Sequence, residues 1–421
     1  MNIKENKGYT GTLVSLVLAF ICISGYVSAQ SRAFITDGIF YSRKADLASG
    51  RVPLNGNWAF HSSRLLKPSE INNFRAASML VPSLWNEHQN LGSVGYGTYV
   101  LKMLLPRSEK WGLEIPQLYN SYALYINDSL AASNGMPSES KELAELQWKP
   151  QYVTFEASTD TTTIVLQLSN FHHAKGGIRE PIYLGKASVI ESHFKKGMYS
   201  VAVEVVVLSL LAFFFLYLFF RCGKQRITLY FALVCLAWAT REMFSDLYPV
   251  NSLFPGINWF FLVKTEYISL CAIMGFGLLF INRLFVEVSS NIFKYLTTFI
   301  TAVYAIFIML TPVIVFSRWL PLYLITAVAI LLYAGITIVR AMLAEKNGAW
   351  FLVSGLLLSL LAMGYDLLAY SGMFSNYAMV RSLLYILIYL CCAIGLLQHL
   401  TIIKSSEASS NTLRYQDLYG N

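Results

Sequence analysis

Residues 198–220 read MYSVAVEVVVLSLLAFFFLYLFF, and this stretch decides the fold of the C-terminal half of the chain. It contains one charged side chain, Glu204. Its length is close to the roughly 20 residues that a helix needs to cross about 30 Å of hydrocarbon. Six further apolar runs of similar length follow with short breaks, at 227–244, 258–282, 292–311, 318–340, 349–371 and 379–402. The sequence therefore predicts a seven-helix transmembrane bundle over residues 197–403.

Composition supports a membrane protein. Hydrophobic residues make up 55% of the chain and charged residues only 13%, against roughly 25% charged residues in a soluble domain. The formal net charge of +8 is spread over the loops and the N-terminal half without a basic cluster, which does not indicate nucleic-acid binding. Trp259, Trp319 and Trp350 lie near the ends of predicted spans, as aromatic anchors at a membrane interface do.

Loop charge predicts the orientation of the bundle. If the first span runs from outside to inside, the external loop 245–257 has no Lys or Arg, and only Arg318 and Arg381 flank the other external loops. Basic residues accumulate in cytoplasmic loops, so we expect a multi-pass membrane protein with an extracytoplasmic N-terminal domain and a cytoplasmic C-terminus. The basic residues that this orientation places inside are Arg221, Lys224, Arg226, Arg283, Lys294, Arg340, Lys346, Lys404 and Arg414.

Residues 1–29 are typical of a secretory signal peptide. Lys4 and Lys7 precede an apolar run at 13–23, and the small-residue site Val27-Ser28-Ala29 follows it. The alternative is an uncleaved membrane anchor. Both interpretations place the next domain outside the cytoplasm.

The exported segment 30–196 has the pattern of a β-sandwich. It contains no cysteine, so we expect no disulfide, and about 165 residues can form a sufficient hydrophobic core. Short apolar runs alternate with Gly, Pro, Asn and Asp, which favours a sandwich or jelly roll. We predict short helices at 69–74 and 139–146. The predicted strands are 54–61, 96–105, 111–115, 122–126, 152–155, 163–168 and 182–184.

Several motifs in this segment carry a family resemblance. Leu54-Asn55-Gly56-Asn57-Trp58, Val81-Pro82-Ser83-Leu84-Trp85 and Gly95-Tyr96-Gly97-Thr98-Tyr99 resemble the galactose-binding-like jelly roll at the front of family 2 glycoside hydrolases. A second set resembles the extracellular domain of bacterial seven-transmembrane receptors with diverse intracellular signalling modules: Tyr125-Ile126-Asn127-Asp128, Ser169-Asn170-Phe171-His172-His173-Ala174-Lys175-Gly176-Gly177-Ile178 and Ile182-Tyr183-Leu184-Gly185.

The resemblance implies an α+β multidomain protein of the bacterial inner (cytoplasmic) membrane, with an exported β-sandwich (jelly roll, galactose-binding-like) followed by a seven-helix transmembrane bundle. The expected domains are a signal peptide at 1–29, a sensor domain at 30–196, the bundle at 197–403 and a cytoplasmic tail at 404–421. Such receptors usually carry an output enzyme after the last span. About twenty residues are too few for one, so we expect either a truncated form or a separate output partner.

The expected function is a receptor that senses a small extracytoplasmic ligand, such as a carbohydrate, and relays its binding to the cytoplasm. Expected partners are that saccharide or small-molecule ligand, membrane lipid, a separate cytoplasmic signalling protein and a second copy in a homodimer. Neither a cofactor nor nucleic acid is expected. The alternative is a transporter or channel with an accessory carbohydrate-binding domain, although no inverted repeat is evident in the sequence. An enzyme is not expected, because we find no catalytic set of residues.

Six residues are the candidate ligand contacts. Flat aromatic rings suit sugar faces, and polar groups cluster in the segment 170–180. The alternatives are sandwich core for the aromatic residues and a structural turn for the histidines. Adjacent histidines on a strand point to opposite faces and chelate poorly, so no metal site is predicted. The candidates are Trp85, Tyr96, Asn170, His172, His173 and Arg179.

Ionisable residues inside the spans form a second candidate site. A charge at the bilayer centre costs about 2.5–3.5 kcal/mol on insertion scales, so such groups usually pair or face a cavity. The predicted topology places seven of them at one depth, beneath the sandwich, which favours one polar network. Alternatively Arg241, Asp366 and Arg381 reach the interface individually. The seven are Glu204, Arg241, Glu242, Lys264, Glu266, Asp366 and Arg381.

Overall fold

The computed structural model describes residues 34–36, 38–41, 50–88, 91–107, 109–157, 159–221, 224–370 and 378–419. The predicted signal peptide at 1–29 lies outside these residues. A β-rich region comes first and seven long helices follow it. The strands are β1 (Phe34–Thr36), β2 (Ile39–Tyr41), β3 (Arg51–Pro53), β4 (Gly56–Ser62), β5 (Ala77–Val81), β6 (Ser83–Leu84), β7 (Gly95–Leu104), β8 (Lys110–Ile115), β9 (Ser121–Ile126), β10 (Ser129–Asn134), β11 (Gln151–Glu156), β12 (Thr161–Asn170), β13 (Gly177–Ile178) and β14 (Tyr183–Lys186).

Two sheets of these strands form a sandwich. The larger sheet has the order β10-β9-β12-β7-β2-β1-β4-β5, with an additional pairing of β7 and β4. Most of its pairs are antiparallel, and β1–β4 and β2–β7 are parallel. The smaller sheet, β11-β8-β14-β3, is antiparallel throughout. Strands β13 and β6 form a separate short pair.

The two sheets share one hydrophobic core. Trp58 and Leu101 enter it from the larger sheet, and Trp111 and Leu184 from the smaller one. Each of these side chains is at most 1% exposed, and burying one such side chain stabilises a fold by about 1.5–3 kcal/mol. The Trp58 indole N–H donates to the Leu54 carbonyl at 3.0 Å, so its polar atom is satisfied inside the core.

The strand predictions are confirmed at the seven places where they were made. The predicted runs overlap β4, β7, β8, β9, β11, β12 and β14. The predicted helix at 69–74 is a 3-10 helix, Pro68–Asn73. The predicted helix at 139–146 is wrong, because Met136 and Glu145 pair through two backbone hydrogen bonds of 3.1 Å and close that segment as a loop.

The prediction of seven long apolar helices is confirmed. Each is long and apolar enough to cross a membrane. A one-turn helix, Val250–Leu253, lies between the second and the third. The seven are α1 (Ala187–Arg221), α2 (Arg226–Phe244), α3 (Trp259–Leu284), α4 (Asn291–Leu310), α5 (Val313–Leu343), α6 (Ala349–Tyr370) and α7 (Ala378–Tyr419).

Helix α1 starts inside the sandwich. It follows β14 without a linker, so the expected domain boundary at 196/197 falls within one continuous helix. Ile190 is fully buried against Gly112 of β8. At the far end of the chain, α7 continues through the segment 404–419 that was expected to be a tail. The helix that forms the first span therefore begins on the sandwich and continues from it without a linker.

Charged groups also fix α1 to the sandwich. The Glu114 carboxylate lies 3.1 Å from both an Arg51 guanidinium nitrogen and His193 Nδ1. Burial raises the pKa of Glu114, but the His193 hydrogen bond and the Arg51 charge outweigh it, and the net shift is downward. The carboxylate therefore stays ionised and holds the first turns of α1 on β8.

The contact between Gly112 and Ile190 is testable. A Cβ at residue 112 would lie 2.9 Å from the Ile190 Cβ, and such overpacking costs about 1–3 kcal/mol. We expect Gly112→Ala to lower the melting temperature of the full chain in detergent. The control is Gly50→Ala, because a Cβ there meets nothing within 4 Å. Equal melting of the two variants would contradict the close packing of α1 on the sandwich.

Candidate functional site

Asn170 organises the loop after β12. Its amide nitrogen donates to the carbonyls of Ser93 at 2.6 Å, His173 at 2.8 Å and Lys175 at 3.2 Å. Its amide oxygen accepts the backbone N–H groups of His172 at 3.4 Å and His173 at 3.1 Å. Asn170 is 2% exposed. Its side chain thus holds the loop 170–176 in one conformation and fixes the direction of the two histidines.

His173 points out of the sandwich into the bundle. Its ring stacks on Tyr119 at 4.8 Å and meets Trp148 edge-on at 5.4 Å. Nδ1 accepts the backbone N–H of Lys175 at 3.1 Å, which leaves the proton of the neutral ring on Nε2. Nε2 lies 3.2 Å from the hydroxyl of Tyr267 in α3. The imidazole is 1% exposed and has a partner at each ring nitrogen.

Trp148 makes the second contact with the bundle. Its ring packs edge-on against Trp259 at 5.3 Å and Tyr248 at 6.0 Å, and its carbonyl accepts the Asn251 amide at 2.6 Å. Trp259 lies in α3, Tyr248 and Asn251 lie in the segment before it, and Trp148 belongs to the sandwich. We use the term aromatic junction for the six rings that meet between the sandwich and the bundle, which are Tyr119, Trp148, His173, Tyr248, Trp259 and Tyr267.

Two further contacts widen the aromatic junction. The Ala174 N–H donates to the Ser317 hydroxyl of α5 at 3.2 Å. His172 is half-buried and meets Trp259 at 6.1 Å and Phe260 at 6.0 Å, both edge-on. The loop that was expected to contact a ligand therefore also contacts two membrane helices.

Burial controls the protonation of the junction histidine. Removal from water, helped by the nearby Lys175 and Arg179 cations, lowers the pKa of His173 to about 3, although a backbone hydrogen bond from Lys175 opposes the shift. Burial also raises the pKa of the Tyr119 hydroxyl above its usual range. Both rings are neutral at physiological pH, so the aromatic junction joins the two domains through uncharged groups.

The structure places the other candidate ligand contacts in different surroundings. Trp85 is 3% exposed in the sandwich core, and its indole N–H donates to the Tyr99 hydroxyl at 2.8 Å. Tyr96 is half-buried at the start of β7. An Arg179 guanidinium nitrogen donates to the Tyr119 hydroxyl at 2.6 Å. Ligand binding by these residues stays a prediction.

The predicted membrane network divides into two clusters. In the first, Arg381 of α7 lies 2.5 Å from the Asp246 carboxylate and 3.7 Å from that of Glu242. Glu204 of α1 belongs to the same region and accepts the Trp238 indole N–H at 3.0 Å. Arg381 is 15% exposed and Glu242 7% at their side chains. This cluster joins α2 to α7 beneath the sandwich.

The second cluster surrounds Glu266 of α3. The Tyr248 hydroxyl donates to its carboxylate at 2.9 Å, and an Arg241 guanidinium nitrogen donates to its backbone carbonyl at 3.1 Å. Lys264 lies outside both clusters, since its amine donates to the Met309 carbonyl in an exposed position. Tyr248 is also a member of the aromatic junction. It therefore connects the sandwich contact to the buried carboxylate.

Asp366 completes the set of predicted network residues. It accepts the Tyr385 hydroxyl at 3.2 Å, which links α6 to α7. Asp246 and the junction rings Tyr119, Trp148, Tyr248 and Tyr267 were not among the candidates. Trp259 had been noted only as an interfacial anchor. Among the described residues, no group of three or more His, Cys, Asp or Glu side chains could hold a metal ion.

A comparison with known protein families finds a match in the helical half. Residues 202–400 match the family model described as 7TM diverse intracellular signalling. No curated protein matches the chain.

The chain is also similar to solved structures of glycosidases. One is the GH2 beta-galacturonidase from Eisenbergiella tayi bound to galacturonate, at 13% identity, covering 32% of this chain and 24% of that one, with a TM-score of 0.25. The Faecalibacterium prausnitzii beta-glucuronidase is 14% identical, with coverages of 34% and 32% and a TM-score of 0.25. The Parabacteroides merdae beta-glucuronidase is 11% identical, with coverages of 32% and 22% and a TM-score of 0.26. The chain thus spans at most about a third of their length.

Acid should open the aromatic junction. The neutral docked imidazole of His173 has a pKa of about 3, against about 6.5 for an exposed histidine. Above pH 6.5 the docked His173 makes its full contribution to the free energy of unfolding. Below pH 6.5 that contribution falls by about 1.4 kcal/mol per pH unit, until the pH approaches the pKa of the docked ring. We expect the melting temperature of the full chain in detergent to fall between pH 7 and pH 5.

The matched variant for this prediction is His173→Gln, which keeps an amide donor but does not titrate. Its melting temperature should be lower at pH 7 and should fall less on acidification. Burial also raises the pKa of Glu180, but Glu180 is present in both proteins and does not distinguish them. Parallel acid sensitivity of the two proteins would show that His173 is not the titrating group.

The Arg381 cluster predicts that Arg381 contributes more to the stability of the bundle than Arg318 does. Arg381→Gln leaves the buried Glu242 and the neighbouring Asp246 without their cation, and an unpaired buried charge typically costs about 3–5 kcal/mol. Arg318→Gln removes an exposed cation near the start of α5, at the same end of the bundle. We expect a clear drop in melting temperature for Arg381→Gln only. Comparable drops would mean that Arg381 is an interfacial anchor.

Proposed function

We propose that residues 202–400, which match the family model described as 7TM diverse intracellular signalling, relay a signal from the sandwich to a cytoplasmic partner. The match to this family supports a membrane signalling receptor. The observation that carries the relay is the pair of attachments between the two domains. One is the continuous helix α1, and the other is the aromatic junction.

The proposed orientation places the sandwich outside. The basic residues concentrate at the end of the bundle away from the sandwich, and cytoplasmic loops attract Lys and Arg. In a bacterial cell the sandwich would then face the periplasm, and the end of α7 would face the cytoplasm. A separate signalling protein would contact α7 or the loops beside it.

The proposed ligand is a saccharide or another small polar molecule. The candidate surface is the loop 170–180, with His172, Arg179 and the nearby Tyr96 as the residues that retain exposed area. The same loop contacts α3 and α5, so a ligand there would act directly on the aromatic junction. Trp85, Asn170 and His173 would support this surface from within, because they are buried.

The proposed relay follows from differential affinity. A ligand can shift a bundle only if it binds two arrangements of the protein unequally. We assign the two arrangements to a closed and an open aromatic junction. In the closed one, Trp148 contacts Tyr248, whose hydroxyl donates to Glu266. Opening would release Tyr248 from the sandwich and change the surroundings of that carboxylate.

The ligand prediction uses the full chain in lipid nanodiscs. We expect a panel of mono- and oligosaccharides to contain a binder, detected by calorimetry. Arg179→Gln should weaken it by about 1.5–3 kcal/mol, if the guanidinium makes a charge-assisted hydrogen bond to the ligand. A folded receptor that binds no member of a broad panel would contradict the saccharide proposal.

The relay prediction uses the same nanodiscs and compares two tryptophans. Trp148→Ala should loosen the aromatic junction, since truncating a buried tryptophan costs about 3–5 kcal/mol. We expect ligand to change hydrogen exchange along α7 in the wild type but not in Trp148→Ala. The control, Trp319→Ala, removes an exposed ring near the start of α5. Retention of the α7 response in Trp148→Ala would overturn the relay through the aromatic junction, while leaving ligand binding untouched.

A further inference from the structure

The bundle contains a cavity at its end opposite the sandwich. It measures about 850 Å³ and lies among the first residues of α2 and α4, the last turns of α3 and one residue of α7, His399. Its size is within the 300–1,000 Å³ range of small-molecule pockets. None of the residues predicted from the sequence to bind a ligand lies there. This cavity is distinct from the aromatic junction.

The lining of the cavity is strongly basic. Lys224, Arg226, Arg283 and Lys294 converge on it from three helices and the turn between α1 and α2. Among the described residues that line it, none carries a carboxylate. The neighbouring acid Glu287 is already paired with Lys346. The four cations therefore create a positive potential that no acidic side chain of the cavity wall offsets.

Uncharged groups complete the cavity wall. The buried Asn282 anchors it, because its amide donates to the Leu278 carbonyl at 2.9 Å and its oxygen accepts the Tyr333 hydroxyl at 2.9 Å. Lys294 is held by Asn291, whose side-chain oxygen accepts the amine at 2.8 Å. Ile227 and Leu279 add apolar surface. The wall thus combines positioned cations with hydrocarbon.

We propose that this cavity binds the phosphate of an anionic phospholipid headgroup. Phosphate oxygens accept charge-assisted hydrogen bonds from Arg and Lys, and these are among the strongest that proteins make. The cavity lies where apolar helices end, which is the depth of lipid headgroups. The apolar part of the wall suits the glycerol backbone and first acyl carbons, which a free phosphate lacks. Basic pockets between spans on the cytoplasmic side are suited to such headgroups.

The competing explanation is that the four cations only set topology. Positive loops retain spans in one orientation without binding a particular molecule. The chain offers a matched comparison, since Arg221 and Arg340 are exposed cations at the same end of the bundle that do not line the cavity. If the cations only set topology, replacing two cavity cations should have the same effect on phosphate binding as replacing both Arg221 and Arg340.

The experiment titrates the full chain in neutral detergent with dihexanoyl-phosphatidylglycerol and follows the melting temperature at fixed ionic strength. We expect a saturable rise in the melting temperature. In Arg283→Gln/Lys294→Gln the apparent Kd should be weaker by about tenfold or more for each cation lost, as the loss of a charge-assisted hydrogen bond predicts. In Arg221→Gln/Arg340→Gln it should stay within about twofold of the wild type.

Three further arms decide between the sources of phosphate. Dihexanoyl-phosphatidylcholine should produce little shift, because its headgroup has no net charge. Inorganic phosphate and glycerol 3-phosphate should bind at least about tenfold more weakly than the lipid, because they lack acyl carbons for the apolar wall. Equal binding of a soluble phosphate would overturn the lipid proposal, and so would equal responses of the two double variants. If the cavity pair does not fold, Lys294→Gln alone replaces it, with Arg340→Gln as its control. None of these outcomes depends on what the sandwich binds.

Discussion

Burial of Trp148 and His173 against α3 is the interaction on which the arrangement of the two domains depends. Both side chains belong to the sandwich, both are 1% exposed, and their ring partners Trp259 and Tyr267 belong to the bundle. Aromatic pairs of this kind contribute about 0.5–1.5 kcal/mol each beyond the area that they bury. The polar atoms of His173 are satisfied in place, so separation would expose apolar surface and break hydrogen bonds together. The aromatic junction is therefore held by burial more than by ion pairs.

The two attachments of the sandwich differ in stiffness. At α1 the chain passes from β14 into a helix whose backbone hydrogen bonds continue into the membrane, and a spanning helix cannot unwind there without unsatisfied polar groups. The aromatic junction is non-covalent and can separate. The coupling free energy between two sites in a protein is typically about 1–3 kcal/mol. A few aromatic contacts contribute a free energy of comparable size. A movement of the sandwich would therefore turn about α1 and open or close at the junction.

The sequence predicted the features that depend on local pattern. Seven apolar runs became seven helices, because length and hydrophobicity alone decide whether a helix can span a membrane. The loop 139–146 did not become a helix, because pairing of Met136 with Glu145 depends on tertiary contacts that no local pattern shows. His173 was noticed for its chemistry, but its partner Tyr267 is 94 residues away along the chain. Sequence adjacency could not indicate that it points into the bundle.

The level of a charged residue along the bundle was predictable, but the direction in which its side chain faces was not. Topology alone placed Glu242 and Arg381 at one level, and the structure brings them to 3.7 Å. Lys264 has a similar depth but lies on another face of its helix, where its amine donates to the Met309 carbonyl. Asp246 was missed because it follows the second apolar run, although it is the closer carboxylate to Arg381.

Helix α7 connects the two charged regions of the bundle. It carries Arg381 at the sandwich end and His399 on the wall of the opposite cavity, about 27 Å apart at the rise of an α-helix. Near the sandwich the charge of Arg381 is neutralised by the buried Glu242 and the more exposed Asp246, so a change of partner there is costly and favours discrete positions of the helix. At the other end three of the four cavity cations are exposed, and no carboxylate among the described lining residues neutralises them. If occupancy of the cavity favours one position of α7, thermodynamic reciprocity requires that the position set by the sandwich changes the affinity of the cavity by the same factor. The composition of the surrounding membrane would then act on the same helix as the ligand, from the opposite end.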